Sequence, residues 1–191
     1  MAAVGMKYIV AAPIATENLD ALPTYGTGVR VGRAISASVT LTRNDNDLYA
    51  DDVLAESDNS ITGGTLDITV AEILDEVRVV LFGDVKEEDD SYSDSGSSAP
   101  YIGLGYLREQ RYKGKSTYQA VWLHKVQLSP AEDTAQTKSQ SITWGTQRVT
   151  GDLLGVTDGP GNTRFRRRKT FDTEADAITW LNTQANYTPA A

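Results

Sequence analysis

SITGGTLDITVAEILDEVRVVLFG, residues 60–83, changes its period in the middle. In its first half Leu66, Ile68 and Val70 alternate with Thr65, Asp67 and Thr69, the two-residue period of a strand with one buried face. From Glu72 the period becomes helical, and Ile73, Val77, Val80 and Leu81 fall on one stripe. Glu72, Asp75 and Glu76 crowd the first turn, where carboxylates meet the positive end of the helix dipole. Gly83 stands where a left-handed C-terminal cap is wanted. A half-buried strand thus feeds a short amphipathic helix. Since nearly all the rest reads as strand or loop, this helix is expected to plug a β-rich core.

Upstream, Val29–Thr42 alternates cleanly, with Val29, Val31, Ile35, Ala37, Val39 and Leu41 in one phase and Ser36, Ser38, Thr40 and Thr42 in the other. So long a strand is expected to bend, and Gly32 is the natural place. A water-facing strand face normally carries Lys and Glu, so this hydroxyl stripe points to a covered face or a channel lining. Between the two strands, residues 43–59 read as a long acidic connection whose Leu48, Tyr49, Val53 and Leu54 fold onto something, such as another subunit. Residues 1–27 hold a strand from Lys7 to Ala12, closed by Pro13, and otherwise read as an N-terminal arm laid over a surface.

Downstream, residues 84–100 are a low-complexity acidic insert. Tyr101–Tyr112 and Thr117–Leu128 are two long β runs joined around Gly114, a hairpin. In the second run Tyr118, Ala120, Trp122, His124, Val126 and Leu128 occupy one face, while Val121 and Leu123 make the other partly apolar. Ser141–Leu154 reads as a strand with Gly145 as a bulge, and residues 157–162 as a tight loop. The chain ends in a helix: Thr173 and Asp176 form a capping box, and Ala177, Ile178, Leu181 and Ala185 an apolar stripe. The organisation expected is an arm at 1–27, a β domain at 28–154 with the acidic insert at 84–100, and a C-terminal arm and helix at 155–191.

The totals fit one domain with ample material for a core: 191 residues, 40% hydrophobic and 23% charged. A net charge of −8 argues against a surface that embraces nucleic acid as a whole. The absence of cysteine excludes disulfides, cysteine zinc sites, iron–sulfur clusters and thiol nucleophiles. The apolar start from Ala2 to Ile14 is interrupted by Lys7 and has no basic region ahead of it, so it reads as neither a signal peptide nor a membrane span.

The search for chemistry returns little. His124, the single histidine, lies between Trp122 and Val126 and reads as a packed core or interface residue. No GxSxG elbow surrounds a serine, which leaves a Ser–His–Asp triad without its usual setting. Asp45, Asp47, Asp51 and Asp52 invite a calcium reading but lack the glycine and closing glutamate of the twelve-residue loop. Asp67 stands alone on a polar strand face, without the apolar partner environment that paired catalytic carboxylates need. Gly26-Thr27-Gly28 and Gly103-Leu104-Gly105 precede strands rather than helices, unlike phosphate loops. Arg164, Arg166, Arg167, Arg168 and Lys169 form the one basic cluster. It either binds phosphate or pairs with carboxylates such as those at 84–94 on the same or a neighbouring subunit, and the net charge favours pairing. No catalytic residue, metal ligand or cofactor is expected, and the chain does not read as an enzyme.

Four stretches together resemble the major tail protein of long-tailed bacteriophages: LYADDVLAE at 48–56, SITGGTLDITVAEI at 60–73, YKGKSTYQAVWLHKVQLS at 112–129 and AQTKSQSITWGTQRVTG at 135–151. The resemblance spans roughly residues 28–154; the acidic insert and the segment after Gly155 look less typical. It implies a mainly β fold, sandwich or barrel-like, with one packed helix, in a structural virion protein. Six copies would close into a ring, and rings would stack into a hollow tail tube that conducts DNA without specific binding. Partners would be further copies and other tail proteins such as the tape measure and tail-end proteins, with no membrane involved. Assembly would take place in the host cytoplasm. Ala2–Gly26, the loop at 43–59 and the C-terminal arm would then make contacts between rings. A related reading is a tube protein of contractile tails or type VI secretion; a different class is a β-sandwich module that binds carbohydrate through Trp122 or Trp144.

Overall fold

The computed structural model describes residues 2–50, 53–129, 145–159 and 161–189. In chain order the strands are β1 (Ala2–Thr16), β2 (Thr24–Tyr25), β3 (Val29–Gly32), β4 (Ala34–Arg43), β5 (Asn46–Ala50), β6 (Val53–Asp58) and β7 (Ile61–Val70). Helix α1 (Asp75–Phe82) follows, then β8 (Val85–Lys86), β9 (Tyr92–Ser93), β10 (Tyr101–Tyr112), β11 (Lys115–Ser129), β12 (Gln147–Leu154), β13 (Val156–Thr157), β14 (Thr163–Arg164), β15 (Arg166–Phe171) and α2 (Glu174–Ala185). The fold is mainly β, built on one large antiparallel sheet in the order β2-β1-β10-β11-β12-β7-β4, with two helices among the described residues. The β3–β4 strand bends at Gly32, at φ 144°. Its first part pairs with β1 and its second with β7, so the sheet wraps back on itself like a barrel.

Alternation along the strands sorts side chains into two layers. Ile9, Leu104, Val121, Leu66, Ile68 and Val149 point into the wrap, where Val77, Leu81 and Phe82 of α1 close it. The intervening Val10, Leu107, Ala120 and Trp122 point outward and are covered by Ala177, Leu181 and Ala185 of α2. Trp122 is wholly buried because the strand beside it carries glycine at two outward positions. A Cβ on Gly105 would stand 2.7 Å from the indole and 2.8 Å from Leu181; one on Gly103 would stand 2.5 Å from the indole. Both helices are capped as expected. Gly83 takes the left-handed conformation at φ 81°, and the Thr173 hydroxyl accepts from the Asp176 amide at 3.2 Å. Lys113 and Gly114, both at positive φ, make the two-residue turn between β10 and β11.

The structure departs from the sequence reading in several places. Residues 2–16 are not an arm: β1 pairs with β10 from Ala2 to Pro13 and with β2 beyond it, and Ile9–Ala12 are fully buried. Tyr8, at φ 53° in a break of register, turns its ring outward to give its hydroxyl to Asn182 Oδ1 of α2 at 2.6 Å. The C-terminal segment likewise lies on its own chain, β15 against β11 and α2 against β1, β10 and β11. Residues 43–59 hold the antiparallel pair β5–β6. The insert carries the short β8–β9 pair, and Arg78 of α1 ties it down through Asp84 at 2.7 Å and Asp94 at 3.0 Å. Ile35 leaves the buried phase, 49% exposed, because the register slips between Ala34 and Ser36. Helix α1 begins at Asp75 rather than Glu72, since the Ile73 amide donates to Gln147 Oε1 of β12 at 2.7 Å and holds that stretch extended. The Ser141–Leu154 strand begins at Gln147; its residues 141–144, with Trp144 among them, lie outside the described residues.

Candidate functional site

His124 sits at a break in β11. Ile102 pairs with Val126 and Leu104 with Leu123, so β11 carries one residue more than β10 there. The bulge splits the single face expected from the sequence. Ala120 and Trp122 stay beneath α2, whereas Val126 and Leu128 join the inner core. It is also where β11 passes from partner β15 to partner β12. The backbone of His124 is held on both sides: its amide donates to the Phe165 carbonyl at 3.1 Å, and its carbonyl accepts from the Tyr25 hydroxyl at 2.9 Å. With 4% of its surface exposed, the imidazole is pushed down to about 4 by burial, and Arg167 adds to the effect. Burial pushes Tyr25 up to about 12. His124 is therefore a neutral packing group, and the described residues bring no serine to it.

The other residues singled out in the sequence resolve in the same structural direction. Trp122 meets Tyr25 edge to face, ring centres 5.0 Å apart, and offers no platform to a sugar. Gly103 and Gly105 make room for that indole, and Gly28 backs onto Ala185 of α2. Asp67 is not alone: Arg148 on the neighbouring β12 binds its carboxylate, with Nε at 2.9 Å from Oδ2, and holds it below the usual carboxylate range. Among the described residues no three acidic or histidine side chains converge as metal ligands do, and no helix is long and apolar enough to cross a membrane.

The basic cluster is spread by its strand. Arg164 faces Asp158 at 3.3 Å. Arg167 lies over Trp180 at 5.9 Å and Lys169 over Phe171 at 5.0 Å. Arg166 and Arg168 project on the opposite side, in the cross-strand rows of Leu104 and Tyr106. Arg108 of β10 joins that side, held by Gln119 with Nε at 2.9 Å from Oε1. The expected pairing with residues 84–94 is not made within the chain, since Asp84 and Asp94 belong to Arg78 and Asp90 to Lys86. Among the described residues no carboxylate lies within 4 Å of Arg108, Arg166, Arg167 or Arg168. Burial, and then the charge of Arg168, lowers the pKa of Arg166.

One long unfinished edge among the described residues is the edge made by β4; β15, paired with β11, leaves a shorter one. Past Gly32 the β3–β4 strand leaves β1 to pair with β7, and its other edge has no strand partner among the described residues. Between the separating strands opens a groove of about 490 Å³, with Met6, Ile35, Val39 and Tyr106 as its apolar lining and Arg108 and Arg166 as its cations. Outside the wrap, Ser36, Ser38, Thr40 and Thr42 lie beside Thr69, Asp67 and Thr65 in an exposed, hydroxyl-rich face. Beyond the far end of β4, β5 and β6 are paired only with each other, and residues 55–60 are exposed. Ile35, Tyr106 and Arg108 carried no functional signal in the sequence, because it is the splay of two strands distant in the chain that brings them together. In comparisons with known proteins, no family model and no curated protein matches the chain.

Proposed function

We propose that the chain is a structural subunit that assembles with copies of itself into hexameric rings, stacked as the tail tube of a bacteriophage, with DNA passing through the lumen. The observation that carries this reading is the strand edge along β4, which has no strand partner among the described residues. An open edge of ten residues invites association, and closed rings of identical copies remove such edges without leaving a sticky end. The resemblance of four stretches to the tail-tube family supports the same conclusion, and the wrapped sheet with its packed helix accords with the fold that family implies. The hydroxylated face of β4 and β7 suits a water-filled channel: it solvates well, and Asp67 on it is paired with Arg148 of β12. We assign assembly to the β4 edge and the β5–β6 pair, because both terminal segments pack on their own chain rather than reaching out as arms.

The test is negative-stain electron microscopy of the purified protein, with light scattering across a concentration series. Rings or tubes that grow with concentration are expected. A monodisperse monomer throughout, at concentrations where virion proteins polymerise, would end the proposal.

A further inference from the structure

We propose that the cavity over the β11 bulge binds phosphate, as a phosphomonoester or the free ion, through Arg164, Arg167 and the His124 ring. The cavity measures about 360 Å³ and is lined by Leu22, His124, Asp158, Arg164, Arg166 and Arg167. Self-assembly does not account for it: the lining shares only Arg166 with the groove beside β4. The pairing of the bulge with β15 builds the site. His124 donates its amide to the Phe165 carbonyl at 3.1 Å, which places Arg164 and Arg167, on either side of Phe165, beside the imidazole. Both guanidinium charges bear on the ring and oppose its protonation. The wall that carries Asp158 is pinned, its amide donating to the Asn162 carbonyl at 2.8 Å and that of Gly159 to the Asp20 carbonyl at 3.0 Å.

Three groups there keep donors to spare. Arg164 spends Nε on Asp158 at 3.3 Å and retains its two terminal nitrogens. Arg167 rests over Trp180, with no carboxylate within 4 Å among the described residues. Tyr25 gives its proton to the His124 carbonyl at 2.9 Å and stands 3.5 Å from Nδ1, at the limit of contact. The imidazole proton is therefore free to sit on Nε2, for which the described residues supply no partner although His124 is only 4% exposed. So buried a nitrogen is costly to leave unpaired. Donors from two guanidiniums and one imidazole match the three free oxygens of a phosphate group, and the guanidinium fork suits them. A carboxylate, or the phosphodiester of a DNA strand, offers two free oxygens and a single charge, and leaves one donor group unmet. A phosphate ion fills a few water volumes of about 30 Å³ each, so the cavity also has room for an attached organic group. Leu22 gives that group an apolar wall.

Equilibrium dialysis with radiolabelled inorganic phosphate at pH 7.5 tests the site in the full chain, assembled or not. Saturable binding at one site per chain is expected, undisturbed by acetate at equal ionic strength. Arg164→Gln and Arg167→Gln, at exposed positions, should each weaken it about ten-fold. Asp158→Asn, which removes the carboxylate facing the anion, should tighten it roughly three-fold, a gain that misfolding cannot imitate. Arg168→Gln, on the same strand but outside the lining, should leave it within about two-fold. Phenyl phosphate that displaces the label at lower concentration than unlabelled phosphate assigns the site to a phosphomonoester; equal competition assigns it to the free ion. Absence of saturable binding overturns the proposal, as does a loss with Arg168→Gln equal to that with Arg167→Gln, the mark of a diffuse basic surface. Displacement by a blunt DNA duplex without terminal phosphates, at lower phosphate concentration than the free ion, overturns it in favour of the nucleic-acid backbone.

Discussion

At the scale of single residues, His124 ties the bulge in β11 to the pH at which the chain holds together. In the folded chain its pKa is about 4 against an ordinary 6.5, because the charged ring would be buried beside Arg167. Above pH 6.5 neither state binds the proton and the shift has no effect. Between 6.5 and 4 the unfolded chain takes up a proton that the folded chain refuses, so stability falls as the pH falls. By pH 5 this one group should cost about 2 kcal/mol relative to neutral pH. His124→Gln removes the titration, and urea unfolding of both proteins at pH 7.5 and pH 5 should show the wild type losing about that much more than the variant. Equal losses would mean that the ring stays hydrated. The sequence was enough to read His124 as packed, since its neighbours are apolar. The bulge was not legible, because it is a register shift against β10, a strand that closes only in the fold.

Among elements, the helices were the most legible, and the first strand was legible only from Lys7 to Ala12. A helix carries its own evidence within a few turns: Gly83 marks one end of α1, and Thr173 with Asp176 marks the start of α2. The Thr173 hydroxyl takes up an amide that the first turn of α2 leaves without a partner. Thr173→Ala should therefore lower stability by about 1 kcal/mol, read as a shift in the urea midpoint at constant slope. An unchanged midpoint would show that packing of Ala177, Leu181 and Ala185 alone fixes the helix. Strand β1 was cut short and taken for part of an arm, because Pro13 and the small polar residues after it look like a terminal arm. What makes it a core strand lies elsewhere, in β10, whose pairing buries Ile9 and Ala11 on one side and Val10 and Ala12 on the other. The β5–β6 pair was missed for a related reason: its acidic residues suit a loop, and a two-stranded ribbon draws its register from backbone pairing rather than from a buried face.

For the whole molecule, the question is which parts the chain needs for itself and which it presents to others. The wrap of β1, β10, β11, β12, β7 and β4 around α1, with α2 outside, accounts for the buried apolar side chains. Strands β5 and β6 pair only with each other among the described strands, and Asn46 faces Asp58 at their base, so the chain can be shortened there without pulling β4 from β7. Deleting residues 46–56 should thus leave the thermal midpoint within about 2 °C, the change expected of a surface segment in a domain this size. If the hairpin is the hand by which one copy holds the next, the same deletion should abolish rings and tubes in electron micrographs while the protein elutes as a folded monomer. The two readouts separate the possible failures. A large drop in midpoint would assign the hairpin to the fold. Undisturbed tube growth at an unchanged midpoint would free it from assembly and leave the β4 edge as the surface through which copies meet.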